Sequence, residues 1–149
     1  MSHDDVIRSA PNSGPQVAVG AIVLDEHGRV LLVQRGKQPG MGLWSVPGGR
    51  LENAETLAQA VAREVHEETG LLVEVGALSC VVERMGDDYH FVILDYVARV
   101  IGGTLRAGDD ARDARFVDEA ELAELRTTEE LSSVIERARA THAAWFGSR

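Results

Sequence analysis

A single cysteine stands among the 149 residues, so no disulfide can close within the chain. Cys80, set among Leu78, Val81 and Val82, reads as a buried strand thiol. Long apolar runs are missing as well. No stretch approaches the roughly eighteen apolar residues of a membrane span, and Asp4 and Asp5 stand ahead of any apolar run, unlike a secretory signal. A cytoplasmic location with no membrane partner is the expectation. Positive charge is scarce: 15 Lys and Arg face 24 Asp and Glu, for a formal charge of -9. Duplex binding relies on many cations neutralising phosphates, which argues against a nucleic-acid polymer as partner. A small anionic substrate would then need local help, such as a metal ion. No internal repeat is evident.

The hydrophobic fraction, 44%, suffices for one core at this length. Residues 1–15 lack periodicity and end in Asn12, Ser13, Gly14 and Pro15, so a flexible tail or short peripheral strand is expected there, with a single domain over residues 16–149. Residues 16–24 (QVAVGAIVL) and 29–34 (RVLLVQ) are β-rich runs separated by Asp25, Glu26, His27 and Gly28, which predicts a β-hairpin covered on both faces. A glycine- and proline-bearing loop, residues 35–42, precedes a short strand over 43–46. Residues 71–84 and 89–100 predict a second hairpin turning at Gly86, Asp87 and Asp88, and 114–117 a further short strand. Residues 119–125 and 129–145 carry helical spacing, with Leu131, Val134, Ile135, Ala138 and Trp145 as core contacts. Strands before, between and after a few helices imply a mixed sheet flanked by helices.

Between Pro47-Gly48-Gly49 and Gly70 lies the informative segment. Asn53 is the expected helix N-cap, Glu55 falls in the first turn and Gly70 supplies the C-terminal stop. Glu64, Glu67 and Glu68, at i, i+3 and i+4, project within one arc beside the stripe of Leu57, Val61 and Val65. Like charges at those spacings repel, and Glu67 and Glu68 sit in the last turn, where the helix dipole disfavours anions. A solvated acidic face, with Arg63 satisfying Glu67, is one reading. The other is a site for a compensating cation, because converging carboxylates are hard oxygen ligands of the kind that hold Mg²⁺ or Mn²⁺. The preceding glycines allow close backbone approach, and a carbonyl there adds a further oxygen.

The segment GRLENAETLAQAVAREVHEETGL, residues 49–71, resembles the Nudix box: Gly, five residues, Glu, seven residues, Arg-Glu, an aliphatic, any residue, Glu-Glu, any residue, Gly, an aliphatic. Gly49, Glu55, Arg63, Glu64, Val65, Glu67, Glu68, Gly70 and Leu71 fill every fixed position without an insertion. The resemblance implies an α/β fold, the Nudix α/β/α sandwich around a mixed sheet. It implies Glu64 and Glu68 as main Mg²⁺ ligands, Glu67 as a ligand directly or through water, and the Gly48 carbonyl as a backbone ligand. Mn²⁺ is a possible substitute. Glu55 and Arg63 look like the family's structural ion pair, with Gly49 and Gly70 as structural glycines. The chemistry implied is attack of water on phosphorus, the metal neutralising the diphosphate and lowering the pKa of a bound water. Among the acidic residues Asp109, Asp110 and Asp113 that could supply a general base, Asp110 is preferred by its position; Glu64 is the alternative.

The wider pattern resembles the small bacterial ADP-ribose pyrophosphatase-like branch over roughly residues 17–138. It implies ADP-ribose cleaved to AMP and ribose 5-phosphate. The proline that marks one group of ADP-ribose enzymes downstream of the box is absent, and Tyr89 sits near a tyrosine position of dinucleoside polyphosphate hydrolases. Oxidised nucleoside triphosphates and dinucleoside polyphosphates are therefore the alternative substrates. A non-catalytic nucleotide-binding module is the alternative of a different class, disfavoured by the three retained box glutamates. Arg35 is expected to meet a phosphate through its planar fork. Trp44, Tyr89 and His90 are the other substrate-binding candidates, with Phe91 better placed for packing. Family likeness also suggests a homodimer, with residues 6–16 contributing to its interface.

Overall fold

The computed structural model describes residues 14–38 and 40–147. The expected tail up to residue 13, and with it most of the segment considered for a subunit interface, lies outside them.

Strand β1 (Gln16–Val23) is buried from Ala18 onward and β2 (Val30–Arg35) through Val33, as their unbroken apolar runs require. They do not form the expected hairpin. The chain reverses between them on the Asp25 carboxylate, which accepts from the amides of His27 (2.9 Å) and Arg29 (2.8 Å) and from Arg29 Nε (2.7 Å). After a single bridge between Leu24 and Val30 the two strands diverge into separate sheets. The Asp25 side chain holds the turn together with Asp25 N–H on the Arg29 carbonyl at 2.9 Å, and the ladder goes no further than that one bridge. Each strand is then central to its own sheet and meets apolar neighbours on both faces.

The first sheet has the order β4 (Gly48–Arg50), β1, β6 (His90–Gly103), β5 (Leu71–Met85); the second has the order β3 (Trp44–Ser45), β2, β7 (Ala111–Val117). The larger sheet is mixed, with β1 parallel to β6 and antiparallel to β4. The smaller one is antiparallel throughout. Strands β5 and β6 form the predicted hairpin, closed by Gly86 N–H to the Tyr89 carbonyl at 2.9 Å.

Helix α1 (Leu57–Thr69) covers one side. Ala60, Val61 and Val65 pack with Val19, Ala21, Val23, Leu31, Leu71 and Ala98. Its N-cap is Thr56, not Asn53: Thr56 and Gln59 form a reciprocal capping box. Ala54 adopts a left-handed φ of 64° just after Asn53, so the chain is still turning where the helix was expected to begin. At the other end Gly70 takes φ 76° and ends the helix as expected. A short helix α2 (Glu119–Glu124) follows β7. Helix α3 (Leu131–Phe146) then buries Leu131, Val134, Ile135 and Ala138 against Ile22, Leu32, Trp44, Val97 and Val117. Full burial of each such aliphatic side chain contributes about 1.5–3 kcal/mol, which makes the two apolar layers the main adhesive of the sandwich. Trp145 is not the expected core contact. It is 57% exposed and rests at the rim, where Gly76 leaves room for its ring. Among the described residues no helix is long and apolar enough to cross a membrane.

One carboxylate lies inside this packing. Asp95, on β6, is 4% exposed and pairs across the sheet with Gly20, where any Cβ would run into its Oδ1. Its hydrogen bond to the Cys80 thiol is long, at 3.9 Å. Burial pushes the Asp95 carboxyl up to about 6, against the opposing pull of Arg84. The folded chain thus keeps this proton to about pH 6, whereas an unfolded chain releases it near pH 4. Stability therefore falls as pH rises through that window, and the deficit persists above it. Asp95→Asn is expected to be more stable than the parent by ~2 kcal/mol at neutral pH and to lose that advantage near pH 4. Urea unfolding at the two pH values measures this; an equal advantage at both would exclude ionisation as its cause.

Candidate functional site

The end of α1 meets the edge of β4. Strand β4 is the outer strand of its sheet, and two of its outward backbone groups are taken up by helix side chains: Gly48 N–H donates to Glu68 Oε2 at 2.9 Å, and the Arg50 carbonyl accepts from Arg63 Nη2 at 3.1 Å. Gly49 lies flat against Glu64; a Cβ there would sit 2.5–2.7 Å from the carboxylate atoms. Gly48 has no more room, since a Cβ would strike the Val19 carbonyl. Gly48 is therefore required by close approach to backbone, while a side chain at Gly49 would have to displace the Glu64 carboxylate from its present position.

Arg63 organises the cluster. Its Nε and Nη2 grip Glu55 in a two-pronged pair at 2.6 and 3.0 Å, and its Nη1 reaches Glu64 at 2.7 Å and Glu67 at 3.2 Å. Glu55 also accepts the Glu52 amide at 3.1 Å, which ties the loop before the helix to the same guanidinium. The hydrogen bonds from Arg63 hold the Glu55 carboxyl below its ordinary range, and Glu55 in turn raises the Arg63 guanidinium further.

Glu64 and Glu68 are shifted the other way. Burial is the main cause for each. Arg63 counters it at Glu64, and the Gly48 amide and Arg35 counter it at Glu68, whose carboxyl nevertheless rises to about 8. Each also feels the other's neighbours: Glu67 and Glu52 raise Glu64, while Glu64 and Glu67 raise Glu68. Among the described residues no three ligating side chains converge on one point as they stand. Arg63 Nη1 spans Glu64 and Glu67, and Glu68 is turned to Gly48. The donor set still suits a hard divalent cation: the carboxylates of Glu64 and Glu68, whose ionisation burial opposes, beside a half-exposed Glu67. The contact of Gly48 with this cluster runs through its N–H.

The remaining candidates scatter. Arg35, at the end of β2, lies close enough for its charge to lower the Glu68 carboxyl. The loop after β6 is docked on the end of α1, with Arg106 N–H on the Thr69 carbonyl and Gly108 N–H on that of Glu68, both at 2.8 Å. That loop brings Asp110 near, but the exposed Asp110 carboxylate pairs with Lys37 at 2.7 Å. Asp113 accepts the Ala114 amide and faces Arg115. Trp44 is 4% exposed in the core, with the Arg115 guanidinium 4.6 Å from its ring centre. Its ring is occupied by packing, which corrects the expectation that it stacks on a base. Tyr89 and His90 lie at the β5–β6 turn, where His90 Nε2 meets Glu83 at 3.0 Å. They line a cavity apart from the glutamates. Gln16 and Arg50, which share that cavity, were not picked out from the sequence. Arg50 falls at an unconstrained position of the box, and Gln16 reads there only as the start of a strand.

A helix clasped to a glycine edge strand by its own arginine, within an α/β/α sandwich of two sheets, is a Nudix arrangement. The chain belongs to the Nudix family, whose NUDIX domain model matches residues 14–138. It is 41% identical over 106 residues to an ADP-ribose pyrophosphatase of Methanocaldococcus jannaschii, covering 70% of this chain and 62% of that protein. It is 43% identical over 91 residues to the mouse 8-oxo-dGDP phosphatase NUDT18, covering 61% of this chain and 27% of that protein. The chain thus spans less than two thirds of the length of either relative. Among solved structures, a MutT NUDIX hydrolase from Burkholderia pseudomallei superposes with a TM-score of 0.72 at 28% identity, covering 84% of this chain and 98% of the other. Nudix hydrolases generally use divalent metal ions.

The tightness at Gly49 yields a direct expectation. Gly49→Ala forces the Glu64 carboxylate aside and is expected to destabilise the fold by about 1–3 kcal/mol, as overpacking does. Chemical denaturation measures this; unchanged stability would show that the Glu64 side chain relocates freely.

Proposed function

We propose that this chain is a Mg²⁺-dependent pyrophosphohydrolase acting on a nucleoside diphosphate derivative, and that its substrate is ADP-ribose, cleaved to AMP and ribose 5-phosphate. The observation that carries the reading is the pair Glu64 and Glu68, two carboxylates kept from easy ionisation yet fixed in place by Arg63 and the Gly48 amide. A bound divalent ion would neutralise the diphosphate and lower the pKa of a coordinated water. Glu64, Glu68 and the half-exposed Glu67 would hold it.

The chain's own groups supply the rest. Arg63 holds one oxygen of Glu64 and the Gly48 N–H holds one oxygen of Glu68, which would leave the second oxygen of each carboxylate to turn toward the ion. Arg35, whose charge reaches Glu68, would meet a phosphate oxygen through its guanidinium. Asp110 is the proposed base, carried by a loop whose backbone is anchored to α1 at Glu68 and to β2 through Gly36 N–H on the Asp110 carbonyl at 3.0 Å. To act, its carboxylate must leave Lys37.

ADP-ribose is favoured by the archaeal relative's activity. A second reading, hydrolysis of an oxidised purine nucleoside diphosphate, is favoured by the mouse relative. Initial rates on ADP-ribose, 8-oxo-dGDP, an oxidised nucleoside triphosphate and a dinucleoside polyphosphate, with and without Mg²⁺, separate these. The highest kcat/KM is expected on ADP-ribose; a preference for 8-oxo-dGDP would replace that substrate with the second.

Glu64→Gln and Glu68→Gln are each expected to lower kcat by about 10²–10⁴-fold on the preferred substrate with little change in thermal unfolding. Retained turnover in either would remove that residue from the proposed metal site. Asp110→Asn is expected to lower kcat by at least about tenfold. An unchanged kcat would pass the base role to Glu64.

A further inference from the structure

Lys37 stands in the turn between β2 and β3, two residues beyond Arg35. Its ammonium meets the proposed base, with Nζ 2.7 Å from Asp110 Oδ1. We infer that Lys37 is a substrate-operated latch on that base: it holds the Asp110 carboxylate while the site is empty and lets it go when a phosphate oxygen of the substrate takes its ammonium. Lys37 is thus a positioning residue, acting on the chemistry through Asp110. The inference rests on the pyrophosphohydrolase reading and deepens it.

Three observations carry it. The first is that the backbone of Asp110 is held without Lys37. Gly36 N–H donates to the Asp110 carbonyl at 3.0 Å, and a Cβ at Gly36 would stand 2.9 Å from that oxygen, so the close approach favours glycine. On β7 the register passes from Asp113 opposite Gln34 to Ala111 opposite Arg35. Arg112 is left as the extra residue, and its guanidinium reaches Met41 Sδ at 3.1 Å. On the other flank Gly108 N–H is fixed to the Glu68 carbonyl at 2.8 Å. Release of the carboxylate therefore asks for rotation of one side chain, and the backbone stays where it is.

The second is how weakly the latch is closed. The Lys37 and Asp110 side chains are 72% and 70% exposed. A pair so open to water is screened by solvent and salt and holds its partners loosely. A diphosphate carries more charge than one carboxylate and offers several oxygens, so it competes well for the same ammonium. Lysine suits the exchange, because its charge is compact, its stem flexible and its three donors rotatable. Asp110, with Asp109 adding to it, holds the ammonium above its ordinary range, so Lys37 stays charged throughout the neutral range.

The third is placement. Lys37 is two residues from Arg35, whose charge reaches Glu68, and Asp110 is two residues from Gly108, whose amide is bonded to the Glu68 carbonyl. Both halves of the latch lead back to the same glutamate. In a chain of formal charge -9, two neighbouring cations there are what would draw in a diphosphate. The other acid of this stretch with side-chain partners, Asp113, is taken up by the Ala114 amide and Arg115. Lys37 pairs with the acid proposed as base.

The test is a double-mutant cycle on the full chain with Mg²⁺, read in KM on the preferred substrate. Asp110→Asn leaves Lys37 to the phosphate alone and is expected to lower KM by about two- to fivefold, the scale of an exposed ion pair. In a Lys37→Met background, Asp110→Asn is expected to leave KM unchanged. In a Lys37→Arg background, which keeps a cation, the decrease is expected to return. A decrease of the same size with Lys37→Met would show that Asp110 simply repels the anionic substrate, and no decrease in the parent would show that nothing is exchanged; either overturns the inference. An unchanged kcat in Asp110→Asn removes the base assignment alone, and the KM pattern still decides whether Lys37 passes from Asp110 to the substrate. If the parent hydrolyses none of the substrates tried, it is the functional reading that fails. The exchange is then judged by calorimetric titration with inorganic pyrophosphate and Mg²⁺. Tighter binding by Asp110→Asn that Lys37→Met abolishes supports it, and equal affinities or no binding overturn it. Circular dichroism confirms the fold of each variant.

Discussion

The site depends on one guanidinium. Arg63 is held by Glu55 from the loop before α1, and in return it positions Glu64, touches Glu67 and closes the backbone of β4 at Arg50. Without it, three carboxylates at the end of a helix would repel one another and the helix dipole alike. A partly buried cation with that many charge-assisted bonds is hard to replace, because lysine has no planar fork to serve two partners on one side and two on the other. The loop, the helix and the edge strand are thus joined at a single side chain, and the geometry of the proposed metal ligands follows from it.

The surrounding architecture makes that join possible. Strand β4 is only three residues long and ends its sheet, so its outward N–H and C=O groups need partners that no neighbouring strand supplies. Helix α1 supplies partners for two of them, the Gly48 N–H and the Arg50 carbonyl, from its last two turns. The glycines of β4 bring the helix close enough for side chains as short as glutamate to reach backbone atoms. On the opposite side of α1, Ala60, Val61 and Val65 are buried against both sheets, so apolar packing fixes the height and rotation at which the carboxylates are presented. Core and site share one helix.

Much of this was readable in the order of residues. The box spacing, the stripe of Val61 and Val65, the Gly70 stop and the β5–β6 turn at Gly86 each follow local rules, and the structure obeys them. What was not legible depended on pairing across the chain. That β1 and β2 part company after Asp25 is settled by where β6 and β7 come to lie, and no local signal at residues 25–29 distinguishes a turn between sheets from a hairpin. Trp44 was a substrate-binding candidate by residue type alone, and only tertiary burial beneath Arg115 assigns its ring to the core. Asn53 and Thr56 are both good caps, and the left-handed turn at Ala54 decided between them. Asp95 and Gly20 are individually unremarked in sequence, and only their parallel register makes each necessary to the other.

Strand β5 has a further consequence. It is fifteen residues long and forms the other margin of the larger sheet among the described strands, a natural template for a strand from a neighbouring molecule. Its register slips between Leu72 and Val73, between Val75 and Leu78, and again between Leu78 and Cys80. The first puts its extra residue on β6, and the other two put theirs in β5, where they throw the outward amides and carbonyls out of step and sharpen the local coil of the strand. An incoming strand would find matched backbone groups for only a few residues at a time. The long margin is therefore a poor template for continuous pairing along its first half, because its own irregular spacing interrupts the ladder there.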